Sequence, residues 1–419
     1  MLFFKECKKV IFSLSFVIYC IVIFAFYFTQ FQNDSRAPLE KPVPGSDNYG
    51  MIEKEVPEIL MPAAIDSLVG EYLSDSFTAY PYGFYKNVRL KKRDKKRLAE
   101  IIYEVSGITQ QELDSFEDFD YGGYYYMDEN GSMVYYKGNI PEATIPEELT
   151  YEHFRELMKK ADEIIGGGSK YSDTFIVGNF SYVPKTYEDA LAEYEQFLTE
   201  DKITGAYARL FCDYMGIDLA IMPVFVAVAL AGLDKKSRME QLAYSRKISS
   251  AKLIFTRYFA LVFVMLIPVI FTAINAHMMV KDLYPESELD STAFFRYTVF
   301  WLIPNILTAA AVGMLITEIF SGLLAIFAQG AWWFSSVIAA SGGLTGNIGK
   351  FTLVMRHNSL LKSDVFNAEW SNIIFNRIFF TIMSIIAVAL TAFIYELKRR
   401  GVFNGSQVGM QNFKGKSKA

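Results

Sequence analysis

Residues able to do chemistry are few and scattered in this sequence. Histidine occurs three times, at His153, His277 and His357, and none stands in the His-Glu-x-x-His or Cys-His patterns that hold a metal or activate a nucleophile. His277 reads as an interfacial packing residue near the end of an apolar run. The cysteines, Cys7, Cys20 and Cys212, fall in or beside apolar runs, which predicts neither a disulfide framework nor a zinc site. Two stretches approach a phosphate-binding loop and miss it. Gly166-Gly167-Gly168-Ser169-Lys170 lacks the Gly-Lys-Ser/Thr ending, and Gly415-Lys416-Ser417 has Met410 where the first glycine belongs. The sequence therefore predicts no catalytic residue, no metal site and no cofactor-binding site in this chain.

Charge is more informative. Residues 32–202 hold 18 Lys+Arg against 33 Asp+Glu, a net −15, while the remainder carries +10. An acidic block between basic, apolar ends offers no broad basic field to displace phosphate counterions, so no nucleic-acid partner is expected. Within the block, Arg89-Leu90-Lys91-Lys92-Arg93-Asp94-Lys95-Lys96-Arg97 could meet anionic head groups, wall polymers or an acidic ligand. A solvated helix start neutralised by nearby acids is the plainer reading, and we favour it. Tyr121, Tyr124, Tyr125, Tyr126, Tyr135 and Tyr136 read as a half-buried strand pair before a recognition face.

The elements that position these residues are mostly membrane spans. Of 419 residues, 52% are hydrophobic and 16% aromatic, with a mean hydropathy of +0.19. Apolar runs at 10–31, 210–233, 253–280, 297–316, 319–340 and 373–395 are each long enough to cross a bilayer. The first follows Lys5, Lys8 and Lys9 but has spanning length and no small-x-small cleavage site, which predicts a retained span. Basic residues gather at the N-terminal tail, at Lys235, Lys236, Arg238, Arg246, Lys247 and Lys252, and at Lys398, Arg399 and Arg400. The positive-inside rule puts these three places, and both termini, in the cytoplasm.

The expected architecture is thus a polytopic α-helical membrane protein of six transmembrane helices, with an extracytoplasmic α+β domain inserted between spans one and two. Its parts are a cytoplasmic tail and first span (1–31), the outer domain (32–205), five further spans (206–400) and a cytoplasmic basic tail (401–419). In the outer domain a Pro-containing linker at 37–44 precedes helices at 95–105, 150–165 and 187–199, and a hairpin at 121–136 centred on Asn130-Gly131. A tight inner turn is expected at Thr317-Glu318. The loop 341–372 should lie outside yet carries Lys350, Arg356 and Lys362; a re-entrant segment and a plain loop both remain open for it. Polar groups within spans are Asp213 and Asp218, near the outer end of the second, then Asn275, Asn305 and Gln329, so no charge is expected at mid-membrane. Pro223, Pro268 and Pro304 would kink their spans.

The inner loop 234–252 is predicted to form an amphipathic helix, with Met239, Leu242 and Ala243 at helical spacing. A Glu-bearing helix (Glu240), then Ser-Arg-Lys-Ile-Ser at 245–249, then a basic residue (Lys252) leading into a span resembles the coupling region between the second and third spans of ABC type-2 exporter permeases. Six spans, a tight turn between the fourth and fifth, and a long outer segment before the sixth are similar to that family's layout over about 209–400. The long insertion after the first span departs from its best-known members and leaves the substrate open; a four-span permease class with a large outer domain is the nearest rival.

The resemblance implies the permease subunit of an ATP-driven exporter, a homodimer or heterodimer in the bilayer of a bacterial plasma membrane. It would dock on separate ABC ATPase subunits that bind ATP and magnesium, this chain being no enzyme itself. Lys236, Arg238, Glu240, Tyr244, Arg246 and Lys247 would form the docking surface, and Asn275, Asn305 and Gln329 the candidate translocation path. The alternative is a membrane-anchored sensor or assembly protein whose outer domain binds a ligand. A polytopic membrane enzyme is disfavoured for want of a catalytic cluster.

Overall fold

A computed structural model describes residues 2–46, 48–80, 86–127, 133–340 and 348–402. These form two compact units, one of 41–195 and one of 2–40, 196–340 and 348–402. The second holds six helices long and apolar enough to cross a membrane: Leu14–Asp34, Thr204–Ala231, Ser250–Leu283, Ala293–Ile319, Gly322–Ala340 and Trp370–Arg399. This is the build of a polytopic helical membrane protein, and large apolar side chains such as Phe263, Phe271, Phe327 and Phe393 stand exposed along the helices, as lipid contact requires.

The basic tail is itself helical over Leu2–Ile11, buries Glu6, Cys7 and Val10, and is set off from the first span by Ser13, whose hydroxyl caps Phe16 N. The prolines act differently from one another. Pro223 opens Pro223–Ala231 after a break that ends Thr204–Leu219, whereas Ser250–Leu283 passes through Pro268 as one helix. Pro304 follows a π-helical turn at Thr298–Leu302, a local widening that absorbs the missing backbone donor. The fourth span runs to Ile319, so the turn into the fifth falls at Phe320 and Ser321 rather than at Thr317-Glu318.

Helix Pro223–Ala231 lies very close to its neighbours. A Cβ on Gly313 would come 2.9 Å from Ala227 Cβ, and one on Gly322 would come 2.3 Å from Val228 Cγ1. A larger residue at either position would press on that helix's side chains.

Residues 341–347, part of the Gly-rich loop, lie outside the described residues. From 348 to 362 the chain is irregular, yet Thr352, Leu353, Val354 and Met355 are buried. Asn376 supplies what a helix would otherwise supply, its Nδ2 donating to Gly349 O (2.7 Å) and Thr352 O (2.9 Å). Buried irregular backbone needs such partners for its polar groups. A short helix, Ser363–Ala368, then leads to the sixth span.

The unit of 41–195 is helical with three two-stranded antiparallel ladders. At its centre runs Pro57–Ser74, buried on nearly every side from Leu60 to Tyr72. Lys92–Ser106 and Tyr151–Ile165 each bury one face against the core and end at Gly107 and Gly166 in left-handed conformation. The ladders join Met51–Glu53 to Tyr182–Pro184, Phe77–Ala79 to Lys86–Val88, and Tyr124–Met127 to Met133–Tyr136. The last matches the expected hairpin, with Tyr125 opposite Tyr135; its Asn130-Gly131 turn lies outside the described residues. Gly123 (φ +75°) lets the chain before it lie on the central helix, where a Cβ would come 2.3 Å from Ser67 N.

The basic cluster forms the start of Lys92–Ser106 and is largely exposed. Lys95 pairs with Asp75 (3.6 Å) and covers the Tyr72 ring, while Arg97 reaches Asp94 (3.8 Å). Beneath, Glu71 is wholly buried and accepts from Tyr171 Oη (2.8 Å) and Thr78 N (3.1 Å), with Lys170 Nζ 3.4 Å away.

Candidate functional site

The loop between the second and third spans departs from its predicted single helix. Residues 234–252 form two short turns of helix, Leu233–Lys236 and Glu240–Tyr244, and then enter the third span. Arg238 separates the turns with φ +56°. Ser237 Oγ bonds back to Leu233 O (2.8 Å) and Met239 N closes on Asp234 O (2.9 Å), so backbone groups that would continue the helix are consumed locally. Ser249 then caps the third span through Lys252 N (3.3 Å).

Of the residues predicted to dock a partner, Lys236, Arg238, Arg246 and Lys247 are exposed, and Glu240 and Tyr244 are half-buried. Met239 and Leu242 are 51% and 57% exposed, while Ala243 turns inward. The loop therefore presents two apolar side chains with four cations around them in sequence, a pairing of apolar centre and charged rim suited to a protein partner.

What fixes the loop was missed in the sequence. Arg399, at the end of the sixth span, donates to three loop carbonyls: Nε to Tyr244 O (2.9 Å), Nη1 to Ile248 O (2.7 Å) and Nη2 to Arg246 O (2.9 Å). The Tyr244 ring meets Tyr395 edge-on at 5.2 Å, and burial, with Glu318 and Glu240 adding, pushes the Tyr244 hydroxyl well up from its ordinary pKa. Ser250 Oγ donates to Glu396 Oε2 (2.5 Å), Lys398 pairs with Glu318 (3.0 Å), and Arg257 joins Asp234 (2.6 Å) and Glu6 (3.5 Å). In the sequence Arg399 reads only as a marker of side. Its position at the end of an apolar run was the available signal.

The three polar residues expected along a path are not all brought together. Asn275 accepts from Tyr27 Oη (2.8 Å) and so ties the third span to the first. Asn305 and Gln329 instead converge on the break in the second span. Asn305 Nδ2 donates to Gly216 O (3.1 Å), Gln329 Nε2 to Ala220 O (2.6 Å), and between them Trp333 Nε1 donates to Ile217 O (2.8 Å). These donors occupy carbonyls next to the break.

Two buried charges were not expected inside the spans, and one of them, Asp218, stands midway along its helix. Arg377 is buried in the sixth span, donating to Asn305 Oδ1 (2.7 Å), Trp301 O (2.9 Å) and Asn376 Oδ1 (3.0 Å from Nε), all neutral acceptors. Asp218 lies midway along Thr204–Ala231 rather than near its end, because Thr204 to Arg209 extend the helix beyond the apolar run. Asp213, nearer the end, accepts from Arg356 Nε (2.7 Å) and His357 N (2.6 Å).

Among the described residues no group of three His, Cys, Asp or Glu is placed to hold a metal. No family model, curated protein or solved structure matches the chain.

Proposed function

We propose that this protein is the permease subunit of an ATP-driven exporter of the ABC type-2 kind, acting as a homodimer or heterodimer in the bacterial plasma membrane. In this reading the termini and the loop 232–249 face the cytoplasm, the unit of 41–195 faces outward, and separate ATPase subunits bind ATP and magnesium. The observation that carries the reading is the grip of Arg399 on three loop carbonyls. A guanidinium fork holding the loop to the end of the sixth span passes a push on the loop directly into a transmembrane helix. Exposed Met239 and Leu242 would supply the apolar contact, and Lys236, Arg238, Arg246 and Lys247 a charged rim for an acidic patch.

The test is co-purification of the candidate ATPase with wild-type and variant permease, together with its ATP hydrolysis. Leu242→Asp and Arg246→Glu should each weaken assembly, by about 2 kcal/mol or roughly 30-fold for a desolvated contact, while the permease still folds. Undiminished assembly and hydrolysis in both variants, and in Glu240→Lys, would remove the docking role and favour a membrane-anchored sensor.

A further inference from the structure

Three carboxylates are buried in the six-span unit, and two of them have cations. Glu6 has Arg257, and Asp213 has Arg356. The third, Asp218, is 6% exposed, and its Oδ2 meets no hydrogen-bond donor among the described residues. Its position midway along the second span removes both remedies open to a surface carboxylate, bulk water and snorkelling to an interface. An ionised carboxylate so placed is disfavoured by several kcal/mol, and binding a proton removes the cost.

A proton asks less of these surroundings than a metal cation does. A desolvated cation needs a cage of oxygens, but the carbonyls of Gly216, Ile217 and Ala220 are already taken by Asn305, Trp333 and Gln329. The Asp218 carbonyl accepts from Ile221 N and Met222 N. Among the described residues, Tyr19 of the first span is near enough to Asp218 for the two charges to interact. The Tyr19 hydroxyl donates to Met265 O (3.0 Å), so its proton is committed elsewhere.

We propose that Asp218 is a proton-binding site at the break in the second span: its carboxyl carries a proton in this conformation and releases it to water when residues 219–223 open. The step leaves a carboxylate in the protein and a proton in solution, and needs no other reactant. It does not depend on the ATPase-docking reading.

The primary measurement is the infrared spectrum of the full-length protein in lipid, compared with Asp218→Asn, a neutral near-isostere. The wild-type minus variant difference at neutral pH should show the carbonyl stretch of one protonated carboxylic acid, shifted in deuterium oxide. A difference that shows only carboxylate bands overturns the proposal. Should the variant not fold, dicyclohexylcarbodiimide decides on wild-type protein. The reagent takes the acid proton on nitrogen while the carboxylate oxygen attacks its central carbon, and the adduct rearranges to a stable N-acylurea. Mass spectrometry should find that adduct on Asp218 at neutral pH, with its yield falling as pH rises. No adduct there, or a yield that does not fall, counts against the site.

Discussion

Arg377 Nη1 donates to Asn305 Oδ1 at 2.7 Å, and Nδ2 of the same asparagine donates to Gly216 O at 3.1 Å. One amide thus ties the sixth span through the fourth to the second. Since Arg377 also bonds Asn376 Oδ1, and Asn376 Nδ2 holds Gly349 and Thr352, the irregular segment before the sixth span joins the same chain of bonds. A network this buried is costly to break in part, because each deletion strands the groups that remain.

Asn305→Leu should therefore destabilise the protein by about 2 to 4 kcal/mol, leaving a buried guanidinium short of an acceptor and Gly216 O with Ala220 N as its remaining donor. The double variant Asn305→Leu with Arg377→Met should cost less than the sum of its singles, with a coupling of about 1 to 3 kcal/mol. Unfolding midpoints in detergent for the four proteins supply the cycle, and strict additivity would dissolve the link.

His357 gives a pH dependence with a definite sign. Burial, then the nearby Arg209 and Lys362 charges, lower its imidazole from 6.5 to about 4, and its Nε2–H donates to Leu361 O (3.2 Å). The folded state thus binds the proton less readily than the unfolded chain. Its contribution is full above about pH 6.5 and is lost as pH falls from there toward 4, amounting to about 3 kcal/mol. His357→Gln, which cannot titrate, should show a shallower loss of stability over that window. Parallel acid profiles for variant and wild type would show that the ring is not the titrating group.

At the loop, Arg399→Lys keeps the charge but cannot reach three carbonyls at once. Amide hydrogen exchange should accelerate in residues 240–249 by about tenfold or more while the spans stay protected, the loss of charge-assisted bonds costing about 1.5 kcal/mol or more. Unchanged exchange would mean that other contacts hold the loop.

In the unit of 41–195, Lys170→Met removes the cation beside Glu71, whose carboxyl burial already pushes up. The variant should be less stable, by as much as about 3 kcal/mol. The loss should grow as pH rises above the ordinary carboxyl range, because the folded state then holds a proton that the unfolded chain releases. Adding Glu71→Gln should recover most of it. Exchange protection of Pro57–Ser74 across pH follows both effects.

The spans were legible because an apolar run of bilayer length has few other readings, and the helix expected over 150–165 is found at Tyr151–Ile165, ended by Gly166. Pro57–Ser74 was not, since a helix buried all round has no polar face to set a 3.6-residue period. Arg377 lies within the first turns of the apolar run 373–395, where a cation reads as interfacial until tertiary packing encloses it. The single amphipathic helix at 234–252 failed at Arg238, whose left-handed backbone no residue-type pattern announces. Of the polar path, the residue types were visible in sequence, but their convergence on Gly216 and Ala220 depends on which faces the spans turn to one another.

The glycines at 313 and 322 have a mechanical consequence. A side chain at either glycine would press on Ala227 or Val228, so the half-span Pro223–Ala231 is seated closely against the fourth and fifth spans and resists turning against them. Bending of the second span then falls most readily at Ala220 to Met222, where the helix is already interrupted, a few residues from Asp218.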